Sequence, residues 1–191
     1  MVIIKNMVQL TDYLKLSNAA HIFYLFEDRN LYLDNLIAYV KGGMERDHHL
    51  LIIENSDIYK EAAQRIDSLF SSEQKKRIHY LNNYLFYRQY GVFHTHKIIE
   101  HFGEMIHSFL NEKDSIRTWA HVEWNEQDDI IRILKEYEDL ADCCVNDFGL
   151  MSVCAYNSSD LCASLQTNMM RSHKYLMTDT EFVRSPLYKN I

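Results

Sequence analysis

The chain has 191 residues, of which 47% are hydrophobic and 25% are charged, with a single proline. This length and composition suit one globular domain with its own core and exclude a disordered linker protein. The formal net charge is -7, from 20 Lys and Arg against 27 Asp and Glu, and no basic run could neutralise a row of phosphates. We therefore expect no direct binding to nucleic acid.

The N-terminal segment and the cysteines bear on the location of the protein. Residues 1–15 lack the pattern of a cleavable signal, and no run of about 18 apolar residues could span a bilayer. The cysteines lack both a CxxC spacing and the density of a secreted disulfide framework; they are Cys143, Cys144, Cys154 and Cys162. We expect a cytoplasmic protein with reduced thiols and no membrane association.

Short apolar runs alternate along the chain with longer segments of helical period, which is the pattern of βαβ units. After a lead of residues 1–20, with room for a small helix around Met7 to Leu16, the run His21–Phe26 predicts a buried strand. A helix follows it, and Gly42-Gly43 near its end favours a left-handed cap. The apolar face of this helix is formed by Leu33, Leu36, Ile37, Val40 and Met44.

The next elements follow the same rule. His49–Ile53 predicts a second strand, and Ser56 or Asp57 is the predicted N-cap of the helix after it. The stretch Ile78 to Tyr87 predicts a third strand and its exit. A long helix begins at about Phe93, and its apolar positions are Ile98, Phe102, Met105, Ile106 and Phe109.

The last third of the chain repeats the alternation. Ile116–Val122 predicts a fourth strand, a helix follows around residues 130–140, and Leu150–Tyr156 predicts a fifth strand after a turn at 147–149. Residues 157–160 are predicted to cap a last helix that runs to about Ser172, and Tyr175–Met177 predicts a short edge strand. Together these elements predict a single-domain α/β fold, a three-layer sandwich with a mainly parallel sheet of RecA-like or Rossmann-like type.

Ligands of parallel α/β sheets bind outside the carboxyl ends of the strands, where this sequence places acids, amides and aromatic rings. We expect a small pocket there. Its candidate ligand-binding residues are Glu27, Arg29, Glu54, Asn55, Trp119, Glu123, Trp124 and Tyr156. The alternative for each residue is an ordinary helix cap or loop position, since polar residues are common where strands turn into helices.

Catalytic signatures are missing from the sequence. The first strand-to-helix loop, Glu27 to Asn30, has neither the glycines nor the lysine that a phosphate-binding loop needs. No GxSxG, HExxH or paired Cys/His spacing occurs, although there are 10 histidines, and Asp147-Phe148-Gly149 stands without the rest of the kinase signature. We expect no catalytic residues, no bound metal and no cofactor.

Several segments together resemble the MEDS domain, a methanogen/methylotroph sensory domain named after a dichloromethane-responsive regulator (DcmR). The similarity spans about 21–188, which leaves 1–20 as a lead and 189–191 as a tail. The segments that carry it are HIFYLFEDRNLYLDNLIAYVKGGMERDHHLLIIEN (21–55), WAHVEW (119–124), CAY (154–156) and RSHKYLMTD (171–179).

The resemblance implies a layout like that of RecA-like ATPases of the circadian-clock type without the phosphate loop, and a role in sensing small organic compounds. No output module is recognisable in the 191 residues. We therefore expect a stand-alone sensory regulator that signals through a protein partner, such as a histidine kinase or a transcription regulator, and that forms a homodimer. The alternatives are a ligand-free protein-interaction module on a degenerate RecA-like fold and a nucleotide-binding enzyme.

Overall fold

The computed structural model describes residues 20–88, 91–111 and 115–189. Within these ranges the strands are β1 (Ala20–Phe26), β2 (His49–Glu54), β3 (Ile78–Asn82), β4 (Ile116–His121), β5 (Met151–Asn157), β6 (Tyr175–Thr178) and β7 (Phe182–Arg184). The helices are α1 (Arg29–Met44), α2 (Ser56–Leu69), α3 (Ser72–Lys75), α4 (Asn83–Arg88), α5 (Thr95–Asn111), α6 (Ile130–Phe148) and α7 (Ala163–Ser172). The small helix expected around Met7 to Leu16 lies outside the described residues.

All the described strands join one sheet in the order β3-β2-β4-β5-β1-β6-β7. Strands β1 to β6 pair in parallel, and β7 pairs antiparallel with β6. Strand β1 lies next to β5 in a register that runs from Ala20 opposite Met151 to Phe26 opposite Asn157. The predicted α/β fold with a mainly parallel sheet is confirmed. Among the described residues, none of the helices has the length and apolar character to cross a bilayer.

Helices cover both faces of the sheet and divide the core in two. Helices α1 and α2 pack on one face, against residues such as Tyr24 and Trp119. Helices α5, α6 and α7 pack on the other face, against residues such as Phe23 and Tyr156. Strands buried on both faces read as continuous apolar runs, which is why the sequence predicts most of them closely.

Helix α1 begins after Asp28, and it ends differently from its prediction. The side chain of Asp28 caps it by accepting hydrogen bonds from two backbone N–H groups of the first turn. The predicted left-handed glycine cap is wrong, because Gly42 and Gly43 lie buried inside the helix. Gly43 is needed for close packing instead, since a Cβ there would lie 3.1 Å from a methyl carbon of Leu50. The left-handed residue after the helix is Asp47, with a φ of 58°.

Two other predicted boundaries need correction. The N-cap of α2 is Asn55, not Ser56 or Asp57; its side chain accepts the backbone N–H of Asp57 at 2.9 Å. Strand β3 stops at Asn82, and the rest of the predicted strand forms α4. Asn82 accepts the N–H of Leu85 at 3.2 Å, and this contact favours a helical turn over a longer strand.

The C-terminal part differs from its prediction at the start of α7 and in the position of β6 within the sheet, whereas α7 ends at Ser172 as predicted. Asn157 caps a short 3-10 helix, Ser158–Asp160, and Cys162 occupies the N-cap position of α7. Strand β6 lies inside the sheet, because β1 pairs with one side of it and β7 with the other. The predicted edge strand is therefore an inner strand, and β7 forms the edge.

Candidate functional site

The loop between β1 and α1 occupies the place where nucleotide-binding α/β proteins hold phosphate. Here the chain's own carboxylates accept its backbone N–H groups. Asp179 Oδ2 accepts from the N–H groups of Glu27 and Asp28, at 2.9 Å each. Asp28 Oδ1 accepts from Asn30 at 2.8 Å and from Leu31 at 2.9 Å. The donors that would wrap a phosphate are therefore already used.

Two predicted ligand-binding residues lie exposed here, Glu27 on the loop and Arg29 at the first position of α1. Arg29 Nη2 contacts Glu61 Oε1 of α2 at 2.6 Å, so the guanidinium is engaged across the surface. An exposed pair of this kind contributes little to stability and leaves both side chains in contact with solvent.

Glu54, at the end of β2, is fully buried and holds a network of hydrogen bonds. Its Oε1 lies 2.6 Å from His121 Nδ1 and accepts the N–H of Asn55 at 2.6 Å. Its Oε2 accepts from the Tyr32 hydroxyl, which accepts a 2.8 Å hydrogen bond from Trp119 Nε1. Three of the predicted residues, Glu54, Asn55 and Trp119, thus meet in one network beneath the carboxyl edge of the sheet.

The electrostatics of this network follow from burial and one ion pair. Burial lowers the pKa of His121, but attraction to Glu54 and the hydrogen bond between them outweigh burial, so the net shift is upward. Burial, followed by the Glu54 charge, raises the pKa of Tyr32, so its hydroxyl stays protonated and donates. The network is a satisfied buried ion pair, which fixes the ends of β2 and β4 relative to α1.

The remaining predicted residues lie on the other side of the sheet or beyond its edge. Glu123 Oε2 accepts a 2.7 Å hydrogen bond from Asn83. The ring of Trp124 lies 6.0 Å from that of Tyr156, and the buried Tyr156 hydroxyl donates to Glu138 Oε1. The sheet thus separates Glu54 and Trp119 from Tyr156, and ligand binding by the predicted residues stays a prediction.

A small apolar cavity lies under α5, on the same face as Tyr156. It has about 10 Å³ of room for a water-sized sphere, which is near the minimum for one water. Its lining residues come from β2, α4, α5, β4, α6 and β5 and are Ile53, Phe86, Tyr87, Ile99, Phe102, Ala120, Tyr137, Ala141, Val145, Ser152 and Cys154. Sequence reasoning missed this cavity because its walls are ordinary core residues.

The comparisons with known proteins concern the whole fold. The model of the family described as methanogen/methylotroph, DcmR sensory domain (MEDS) matches residues 20–174, which is most of the chain. The chain belongs to the MEDS family. MEDS is a sensory domain family, and the family resemblance expected from the sequence is confirmed. The search of curated proteins found no similar protein.

Proposed function

We propose that this MEDS domain senses a small organic molecule in the apolar cavity and signals through a protein partner. The observation that carries the proposal is the cavity itself, a gap at the junction of the sheet with α4, α5 and α6. Close-packed cores hold few gaps. An apolar gap that water fills poorly takes up small apolar molecules readily.

The dimensions and lining of the cavity define the class of ligand. The space is near the minimum for one water, so a compound of a few non-hydrogen atoms enters only if α4 and α5 move apart. The walls are mostly aliphatic and aromatic, with the phenols of Tyr87 and Tyr137 and the thiol of Cys154 as polar groups. Short-chain alcohols and halocarbons fit this chemistry, since each joins an apolar body to at most one polar atom.

One buried polar group has capacity for a ligand. The Tyr87 hydroxyl completes no hydrogen bond of adequate geometry with a described residue. It lies close enough to Tyr137 for each phenol to affect the pKa of the other, so we regard the contact as a poorly directed hydrogen bond. A ligand oxygen or halogen at this point would satisfy the Tyr87 hydroxyl and gain specificity from it.

Helix α4 connects the cavity to the surface. Two of its residues, Phe86 and Tyr87, line the cavity and are buried. Their neighbours Tyr84 and Leu85 are 53% and 62% exposed. Because α4 has one turn and a half, a ligand that shifts its inner face also shifts its outer face. A partner that contacts Tyr84 and Leu85 would therefore bind differently when the cavity is occupied.

A role without catalysis agrees with the loop at α1. Carboxylates of the chain occupy the N–H groups where a phosphate would bind, and Glu54 is already paired with His121. Phosphate would meet negative charge at this helix start, so nucleotide hydrolysis has no support in the geometry.

The proposal is tested by thermal unfolding with xenon and with a panel of short-chain alcohols and halocarbons. A compound that fits should raise the midpoint by about 3–6 °C at ten times its dissociation constant. Ala141→Val fills part of the cavity and should abolish this shift, whereas Ala163→Val, the same change at an exposed position of α7, should leave it intact.

Native mass spectrometry of the purified protein provides a second measurement, since a ligand acquired during expression adds a discrete mass. Equal midpoint shifts in Ala141→Val and Ala163→Val would show that the compounds bind outside the apolar cavity. If no compound of the panel binds and the purified protein has its apo mass, the ligand-free interaction module becomes the better explanation.

A further inference from the structure

Four buried side chains that sequence spacing does not connect meet between the sheet and α6. They are His21 of β1, Glu138 of α6, Cys154 of β5 and His173, which directly follows α7. One potential ligand atom from each lies within 4.8 Å of the others. All four residues are at most 3% exposed. Imidazole, thiolate and carboxylate are the groups that bind Zn²⁺ in proteins.

The outer nitrogen of each imidazole is held by an acceptor. His173 Nδ1 lies 2.8 Å from the carbonyl oxygen of Met169. His21 Nδ1 lies 3.2 Å from both the Ser172 carbonyl oxygen and Asp142 Oδ1. Carbonyl and carboxylate oxygens cannot donate, so each Nδ1 carries the hydrogen. In a neutral ring the lone pair is then on Nε2, which is how metal-binding histidines are oriented.

These lone pairs point at a carboxylate oxygen. Glu138 Oε2 lies 3.3 Å from His173 Nε2 and 3.5 Å from His21 Nε2, and the latter lies 3.4 Å from Cys154 Sγ. Neither Glu138 Oε2 nor His173 Nε2 makes a hydrogen bond of adequate geometry with a described residue. The second carboxylate oxygen, Oε1, accepts from the Tyr156 hydroxyl. A buried group of acceptors that face one another needs a cation among them.

We propose that His21, Glu138, Cys154 and His173 bind one Zn²⁺ ion. Bonds of 2.0–2.3 Å in a tetrahedral site place neighbouring ligand atoms about 3.3–3.8 Å apart, which is the spacing of the three closest pairs here. Binding releases the proton of the Cys154 thiol, and the thiolate and the Glu138 carboxylate then balance the charge of the ion. The site is closed by four protein ligands, as in structural zinc sites.

The competing explanation replaces the metal ion with a proton. A protonated His173 would form a buried ion pair with Glu138, and the Cys154 thiol would donate to His21. Both arrangements fit the same heavy atoms. They differ in metal content, in the spectrum of a cobalt-substituted protein and in the response to Cys154→Ser.

The experiment uses the full chain, purified without chelators after removal of any histidine tag. Elemental analysis should find about one zinc per chain. Refolding with Co²⁺ should give an intense cobalt–thiolate absorption in the near ultraviolet. Cys154→Ser should abolish this absorption, whereas Cys162→Ser, a change at an exposed cysteine, should leave it unchanged.

A further variant changes a residue that is not a proposed zinc ligand, so that the test does not depend only on ligand variants, which could fail to fold. Asp142 is partly exposed and contacts His21 without being a proposed ligand. Asp142→Asn should lower zinc affinity about 10–100-fold in a competition with a chelating dye, as changes to groups that orient metal ligands do. Zinc content near zero that does not rise on refolding with Zn²⁺ would overturn the proposal, as would a cobalt spectrum without the thiolate band. Cys154 belongs to both sites, but zinc content and the cobalt spectrum are measured without a cavity ligand, so their outcome is separate from the test of the proposed function.

Discussion

The hydroxyl of Tyr24 donates a 2.6 Å hydrogen bond to the carboxylate of Asp179, which lies 155 residues further along the chain. The other oxygen of this carboxylate accepts the N–H groups of Glu27 and Asp28. Asn35 of α1 adds a 3.0 Å hydrogen bond to the Tyr24 hydroxyl. Asp179 therefore acts as a built-in anion near the start of α1, where the helix dipole favours negative charge.

Removal of this anion should destabilise the fold. Asp179→Ala leaves the buried Tyr24 hydroxyl without its acceptor, so we expect the free energy of unfolding to fall by about 1–3 kcal/mol. Urea denaturation followed by circular dichroism measures the change. Thr180→Ala, at the next, exposed position, should have almost no effect. Equal stability of the two variants would show that water replaces the carboxylate without cost.

Because carboxylates of the chain already accept the backbone N–H groups at the start of α1, we expect that the protein does not hydrolyse ATP. Purified protein with Mg²⁺ and ATP should release phosphate at the rate of the buffer, and isothermal titration should detect no binding of ATP. Turnover that exceeds this background and disappears in Glu54→Gln would contradict the prediction, because it would assign the buried carboxylate to catalysis.

The His121–Glu54 pair should make stability decline as the pH rises above about 6.5. The unfolded pKa of histidine is about 6.5, and the folded pKa of His121 lies above that value, since the Glu54 charge outweighs burial. Below pH 6.5 both states bind the proton and the stabilisation is complete. As the pH rises through the folded pKa, the proton and the stabilisation are lost. His121→Gln should remove this decline in thermal midpoint.

A second histidine, His48, should make stability decline as the pH falls, in a more acidic pH range. Burial, with Arg117 and Arg46 nearby, lowers the pKa of His48 to about 4. Its contribution is therefore present above pH 6.5 and disappears as the pH falls towards 4. His48→Gln should flatten the acid side of the midpoint profile and leave the alkaline side unchanged. If one of these two substitutions altered both the acid and the alkaline side of the midpoint profile, the protonation of the two histidines would be coupled.

The cysteines should differ in their rates of alkylation. Cys162 is exposed, and hydrogen bonds from Ser164 and then from the N–H of Leu165 lower its pKa, which favours the reactive thiolate. Cys154 is buried, so it should react only when the protein unfolds. Peptide mass spectrometry after timed exposure to iodoacetamide measures both rates. Ser164→Ala should slow the reaction of Cys162; an unchanged rate would contradict the assigned cause.

The sequence predicts the order of elements well, because buried parallel strands appear as unbroken apolar runs between segments of helical period. It fails where a short helix and a strand look alike. The segment from Tyr84 to Tyr87 is aromatic and aliphatic throughout, so its periodicity does not reveal that it belongs to a helix that begins at Asn83. The left-handed residue at Asp47 was missed because Gly42 and Gly43 gave the stronger signal, although their role is packing.

The candidate sites were harder to predict than the fold. Strand ends identify which residues approach the carboxyl edge, but a strand that is apolar on both sides does not show which side chain faces which helix layer. Glu54 and Tyr156 were therefore grouped together although the sheet separates them. The group of His21, Glu138, Cys154 and His173 has no short spacing at all. The pairing of β1 with β5, with α6 and the end of α7 packed against them, brings its members together.

The outer face of α4 should be the contact surface of this domain. Of the aromatic residues of α4, Phe86 and Tyr87 are buried in the core. Tyr84 remains exposed beside Leu85. Exposed aromatic and aliphatic side chains of this kind contribute disproportionately to binding between proteins.

Leu85→Glu should weaken self-association or capture of a partner at least about tenfold, because it places a charge at the centre of that contact. The thermal midpoint should hardly move, since the side chain is 62% exposed. The matched control is Leu69→Glu, which changes a leucine that is 46% exposed at the end of α2. Light scattering at micromolar concentration measures dimerisation, and a pull-down from extract of the source cells detects a separate partner. If the wild-type chain is a strict monomer that captures no protein, then no protein binds α4 and the proposal of signalling through a protein partner is wrong. If both glutamate variants lose association equally, the contact surface is not confined to α4.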